Sequence, residues 1–280
     1  MELWAQLTGA LVEVENTGTH TQFFDKFNIR YEIFQVIKCI WSNSIYRTKL
    51  SQESKDNFDF FVRFVNLLLN DVTFVLDEAL TKLSKIHDLQ IELEGPAAAE
   101  MDENQRNEKE EELAQAEHAA KSYMQLTNET VAMLKLFTEA LADSFTMPEI
   151  VQRLADMLDY NLEAIVGPKQ SGLKVRSPEK YSFAPKTLLS EIVDVYLNLK
   201  DKTSFIEAVA RDGRSYKPGN FESATRILKR FQLKAPEVME DWIKLCESFK
   251  RAKEADEQDE EDLGEIPDEF LGRLLLFPFL

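Results

Sequence analysis

The sequence predicts an all-α protein made of stacked antiparallel helix pairs, and three observations lead there. Apolar residues recur at three- and four-residue steps along most of the chain, the spacing that lines one face of a helix. No segment alternates polar and apolar residues as a half-buried strand would, and no Asn-Gly pair marks a hairpin. Glycine and proline, nine of each in 280 residues, are too few for a turn-rich β protein. Each amphipathic segment is too apolar to stand alone. Stacking them as hairpins gives an armadillo-like helical-repeat solenoid, although no clean repeat motif marks the units.

The first clear stripe is Phe27, Tyr31, Phe34, Ile37 and Trp41. After Ser51 the same rhythm runs through Phe58, Phe61, Val65, Leu68, Val72, Val75, Ala79, Leu83 and Ile86. That stretch is long enough for two helices, with a break predicted at Asn70–Asp71 because either residue caps a new start. Gly95-Pro96 ends it. Residues 101–115, "MDENQRNEKEEELAQ", carry charge and no apolar stripe, whereas Tyr123, Thr127, Val131, Leu134 and Leu141 restore one. An exposed helical arm is expected there, standing clear of the core and docking along its C-terminal half. "TMPE", Thr146–Glu149, reads as a capping box in which Thr146 accepts from the amide three residues on and Glu149 reaches back. The helix it opens carries Ile150, Leu154, Leu158 and Ile165, and Gly167-Pro168 stops it.

Residues 167–185 form the longest stretch of loop chemistry. Then come a helix with Leu188, Ile192, Val195 and Leu199, and a shorter one with Phe205, Ile206 and Val209. The loop "RDGRSYKPGN" leads to helices around 221–231 and 236–252, the latter with Val238, Trp242, Leu245 and Phe249. Trp41, Leu68, Leu76, Leu134, Leu154, Val195 and Trp242 are expected in the core. From Glu254 to Glu269 there are ten acids and no base, read as a solvated linker, and the chain then turns apolar. The expected organisation is a helical body over 1–253, an acidic linker at 254–265, a short distinct stretch at 266–271 and an apolar tail at 272–280.

Hydrophobic residues at 44% and aromatics at 10% give a globular composition with enough material for a sizeable core. A net charge of −17 argues against nucleic acid, since phosphate contact needs clustered Lys and Arg. The N-terminus has no basic region before its apolar residues, and no apolar run approaches the roughly 18 residues of a membrane span. Two cysteines cannot make a disulfide framework, so a cytoplasmic or nuclear location is expected. Cys39 and Cys246 read as small buried hydrophobes on helical faces, without the electropositive setting or base of a nucleophile. His20, His87 and His118 pair with no cysteine or acid at ligand spacing. "GPKQSG" lacks the Lys-Ser/Thr of a phosphate loop. "ARDGRSY" sets two arginines beside a glycine, which suits either an anion or a turn fixed by Asp212 and Gly213. Physical reading of the residues alone therefore gives a helical scaffold with no catalytic residue, metal or cofactor site.

Three stretches carry a resemblance: "FVNLLLNDVTFVLDEALTKL" (64–83), "VQRLADMLDYNLEAIVGPKQSGLKVRSPEKYSFAPKTLLSEIVDVYLNL" (151–199) and "FIEAVARDGRSY" (205–216). They resemble the core of the ubiquitin-chain elongation factors, U-box ubiquitin ligases with a large helical-repeat body, and the similarity runs from about Phe23 to Leu271. In that family "IPDEF", then Leu or Cys and Asp-Pro, begins the U-box, a zinc-free domain that grips the ubiquitin-conjugating enzyme. Ile266, Pro267, Asp268, Glu269, Phe270 and Leu271 match that start; Gly272 stands where Asp is expected, and the sequence then departs. An Asp codon split by an intron beginning GT would read as glycine when translated through, so a U-box encoded downstream of Leu280 is expected.

The resemblance implies a ubiquitin–ubiquitin ligase of proteasomal and endoplasmic-reticulum-associated degradation. It transfers ubiquitin without a covalent ubiquitin intermediate, by orienting a charged conjugating enzyme. Implied partners are a ubiquitin-conjugating enzyme, ubiquitinated substrates and an AAA ATPase segregase. Residues 1–280 lack the U-box and are expected to be inactive alone. The competing expectation is a non-enzymatic helical scaffold or adaptor that holds a protein partner.

Overall fold

A computed structural model describes residues 23–264 together with Gln6, Gly9 and Ala10. Ile266–Leu271, the apolar tail and His20 lie outside the described residues. The described chain is all helical: α1 (Phe23–Trp41), α2 (Ser44–Asp56), α3 (Phe58–Glu94), α4 (Glu103–Ala140), α5 (Ala142–Phe145), α6 (Pro148–Val166), α7 (Pro185–Asn198), α8 (Thr203–Arg211), α9 (Pro218–Phe231) and α10 (Pro236–Gly264). Short 3-10 turns span Pro96–Ala99, Pro168–Leu173 and Pro178–Tyr181. Trp41, Leu68, Leu76, Leu134, Leu154, Val195 and Trp242 all lie in one continuous core, as their spacing predicts.

The long α3/α4 hairpin is the spine. α3 is one unbroken helix of 37 residues, about 55 Å long. The break predicted at Asn70–Asp71 is not there. Leu68, Leu69, Val72, Val75 and Leu76 bury in phase across that point, and packing against α4 outweighs the local capping tendency. Asp71 instead receives a bond from the buried Arg30 of α1 at 2.9 Å, and the Asn70 amide oxygen accepts from Arg153 at 2.9 Å. Toward α1, Phe34, Ile37 and Trp41 bury, while Tyr31 stays at the edge.

α4 opens on a true capping box. Asp102 accepts from the Gln105 amide at 2.8 Å, and the Gln105 side chain accepts from the Asp102 amide at 3.2 Å. Its charged first half is exposed but does not stand clear. Lys85 reaches Glu112 at 2.7 Å and Lys109 reaches Glu92 at 3.1 Å, lashing it to α3. Continuous burial begins only from Ala116 and Ala120 onward. At the start of α6 the capping box predicted from Thr146 is absent. Met147 occupies the cap position, Pro148 takes the first turn, and the Thr146 hydroxyl donates backward to the Ala142 carbonyl at 2.9 Å. Proline supplies the preset φ, so the start needs no side-chain cap. α6 ends at Gly167, where an added Cβ would run into the Glu163 carbonyl oxygen.

The 167–185 loop is pinned to the spine rather than free. Tyr181 and Phe183 bury; the Tyr181 hydroxyl donates to Glu117 at 2.6 Å, Asn128 donates to the Ser182 carbonyl at 3.0 Å, and His87 donates to the Lys174 carbonyl at 2.7 Å. Beyond it, α7–α10 close around Tyr196. That ring lies 5.9, 5.7, 5.8 and 5.9 Å from those of Phe205, Phe221, Trp242 and Phe249, within the range of favourable edge and tilted contacts. The Trp242 indole N–H donates to the Thr225 hydroxyl at 2.8 Å. α10 does not stop at Ala252. It continues as helix to Gly264 through the acidic stretch read as a linker.

Candidate functional site

The most site-like place lies where α3, α6 and the turn after α8 meet. Leu69, Asn70 and Thr73 form one wall; Gln152, Arg153, Asp156, Met157 and Tyr160 form the opposite one; Arg211–Ser215 close the end, and the cleft holds about 640 Å³. The closing turn is built by Asp212. Its buried carboxylate accepts from the amides of Arg214 at 2.9 Å and Ser215 at 3.1 Å, which is the turn reading of "ARDGRSY". That turn carries Arg211 and Arg214 outward on either side of Gly213.

Charge in the cleft is layered. Arg153, Arg211 and Arg214 are exposed at the rim, whereas Asp212 is buried. Burial pushes the Asp156 carboxyl up; a bond from Gln152 at 2.8 Å opposes this, Asp212 nearby adds to it, and Arg214 pulls it back. Gln152 also donates to the Ala208 carbonyl at 3.0 Å and so ties the wall to α8. Beneath, Asp159 is almost fully buried and accepts from the Tyr196 hydroxyl at 2.6 Å, and burial drives its carboxyl well above the ordinary range. Tyr160 donates to Asp77 at 2.9 Å and separates the cleft from a second groove of about 770 Å³, lined by Asp77, Ser84, Lys85, Asp88 and Leu173.

The cysteines divide. Cys246 is half-buried, and burial pushes its thiol up to about 12, so it stays protonated. Cys39 is exposed, contrary to the expected buried position: it lies two residues from Ile37 and so points away from the stripe. Among the described residues no group of three or more His, Cys, Asp and Glu is arranged to hold a metal ion, and no helix is long and apolar enough to cross a membrane. The sequence-predicted Ile266, Pro267, Asp268, Glu269, Phe270 and Leu271 fall outside the described residues. Of the cleft itself, the sequence points as a candidate site only to the turn with Arg211, Asp212, Gly213 and Arg214. Arg153 and Asp156 sit on a polar helix face with nothing local to single them out, and Asn70 reads locally as a helix cap rather than as part of a site.

Comparison with known proteins defines the class to which this body belongs. The family described as ubiquitin elongating factor core matches residues 1–250. The chain is 51% identical over 268 residues to ubiquitin conjugation factor E4 of Schizosaccharomyces pombe, covering 94% of this chain and 26% of the relative. It is 41% identical over 268 residues to E4 ubiquitin-protein ligase UFD2 of Saccharomyces cerevisiae, covering 94% and 28%. To ubiquitin conjugation factor E4 A of Bos taurus it is 35% identical over 277 residues, covering 96% and 26%. The chain therefore belongs to the ubiquitin elongating factor core family, and it spans about a quarter of the length of these relatives.

Proposed function

We propose that this chain is the C-terminal part of the helical body of a ubiquitin-chain elongation factor, and that it works by holding proteins in position rather than by forming a bond to ubiquitin. The observation that carries this reading is the family match over residues 1–250, running through a single continuous core. The names of the relatives support a ubiquitin-ligase context, and the raised Cys246 thiol offers no ready nucleophile. On this reading residues 1–253 form the body, 254–265 connect it onward, and Ile266, Pro267, Asp268, Glu269, Phe270 and Leu271 begin a U-box. The ubiquitin-conjugating enzyme would engage beyond Leu271. Ubiquitinated substrates and an AAA ATPase segregase complete the proposed partners, in the cytoplasm or nucleus.

The test is discharge of a ubiquitin-conjugating enzyme's ubiquitin thioester. Residues 1–280 alone are expected to match an unrelated helical protein, and the same chain with a U-box joined after Leu271 is expected to speed discharge. Stimulation by residues 1–280 alone would mean that the body itself engages the charged enzyme. Failure of the fusion as well would favour the reading of a pure scaffold, for which the arginine-rimmed cleft is the feature that speaks.

A further inference from the structure

We propose that the cleft between α3, α6 and the Arg211–Ser215 turn binds an acidic peptide segment with an apolar side chain among its acids. The rim supplies the charge. Arg153 and Arg214 are both exposed and form no close ion pair among the described residues, Arg214 acting on Asp156 only at longer range, although the chain carries a net charge of −17. Arg153 donates only to the neutral Asn70 amide, which sets its guanidinium at the α3 wall. Arg214 is carried on a turn that Asp212 already holds with two bonds, so little ordering remains to be done when a ligand arrives. Arg211 leans on Glu207 and Asp256 at 3.4 and 4.0 Å, contacts loose enough to exchange for a better carboxylate.

The floor decides what kind of anion fits. The exposed Tyr160 ring and the half-buried Thr73 give it apolar surface above the buried Leu69 and Met157, and Asp156 and Asp212 lie beside them. A compact polyanion such as phosphate, seated deep enough to meet all three guanidiniums, would also meet those two carboxylates. A peptide divides the demand. Its acidic side chains pair with the rim arginines, its backbone N–H groups point toward Asp156, and an apolar side chain packs against the Tyr160 ring. The volume of about 640 Å³ lies within the range of pockets that bury a drug-sized ligand, which is the bulk of a few side chains. Nucleic acid is a poor fit for the same reason as phosphate, and the overall charge repels it.

Fluorescence anisotropy of purified residues 1–280 with a short dye-labelled peptide of Glu and Asp around one Leu and one Phe tests this. The control is the same peptide with Gln and Asn replacing the acids. Saturable binding of the acidic peptide, weakened about tenfold or more by Arg153→Glu with Arg214→Glu, is expected. Arg226→Glu, an exposed charge on α9, is expected to leave binding unchanged. Both cleft arginines are exposed, so the reversed pair should fold; Arg153→Gln with Arg214→Gln repeats the test without new negative charge. No saturable binding, equal binding of the amide peptide, or undiminished binding by either paired variant would overturn the proposal. Displacement of the peptide by inorganic phosphate at matched ionic strength would also overturn it, because the site would then be a simple anion site.

Discussion

Leu154 has no exposed surface and sits midway along α6, where the spine meets the C-terminal helices. Truncation there leaves a void among residues that cannot all move inward. Leu154→Ala is therefore expected to cost about 2–5 kcal/mol, read as a lower urea midpoint at unchanged slope. Asp159 offers a sharper test, because its effect has a sign. Burial raises its carboxyl well above the ordinary 3.8, against the opposing bond from Tyr196. The folded protein keeps a proton that the unfolded chain releases at the lower value. Its contribution to stability is full below about pH 3.8 and is lost as pH climbs through the raised folded value. Asp159→Asn keeps an acceptor for the Tyr196 hydroxyl and removes the titration. Above about pH 4 the variant should thus lose stability less steeply than the parent as pH rises, in urea unfolding at stepped pH. Parallel curves would show that Asp159 does not hold its proton in the fold.

Within one helix, α4 joins two kinds of support. Residues 103–115 are held by exposed ion pairs worth about 1 kcal/mol or less each, whereas from Ala116 the helix is buried against α3 and α7. Hydrogen exchange should divide accordingly, with amides of 103–115 exchanging well before those of 124–138 and gaining further when salt is raised. Uniform protection along the helix would contradict this. The same helices show what could be read in advance. Burial at Leu68, Leu134 and Val195 follows from periodicity, which is a property of neighbours in sequence. The break predicted at Asn70–Asp71 used only local capping chemistry, and the partner that claims Asp71 is 41 residues away on α1. Thr146 failed as a cap for a local reason, since Pro148 had already fixed the start of α6. Cys39 is exposed because its angle around the helix, two residues past Ile37, turns it away from the apolar stripe. The cleft was half-legible: its turn arginines lie three residues apart in sequence, but Arg153 and Asn70 are 83 residues apart and meet only once the spine has folded.

For the molecule as a whole, the excess of negative charge is a standing repulsion that the buried core must outweigh. Screening should relieve more repulsion than it removes from the scattered surface pairs. The melting temperature is therefore expected to rise between low salt and about 0.3 M NaCl, measured by differential scanning fluorimetry. A fall would mean that the exposed ion pairs matter more than the net charge. In α10, Trp242, Leu245 and Phe249 are clamped in the core while the same rod runs on to Gly264. A flexible linker would let its far end roam a volume of space; a rod gives that end a bearing. Each residue inserted beyond Phe249 would swing that bearing by about 100°, and four would nearly restore it. On the function proposed above, angular phase along the acidic stretch becomes a functional variable, and length alone does not describe it.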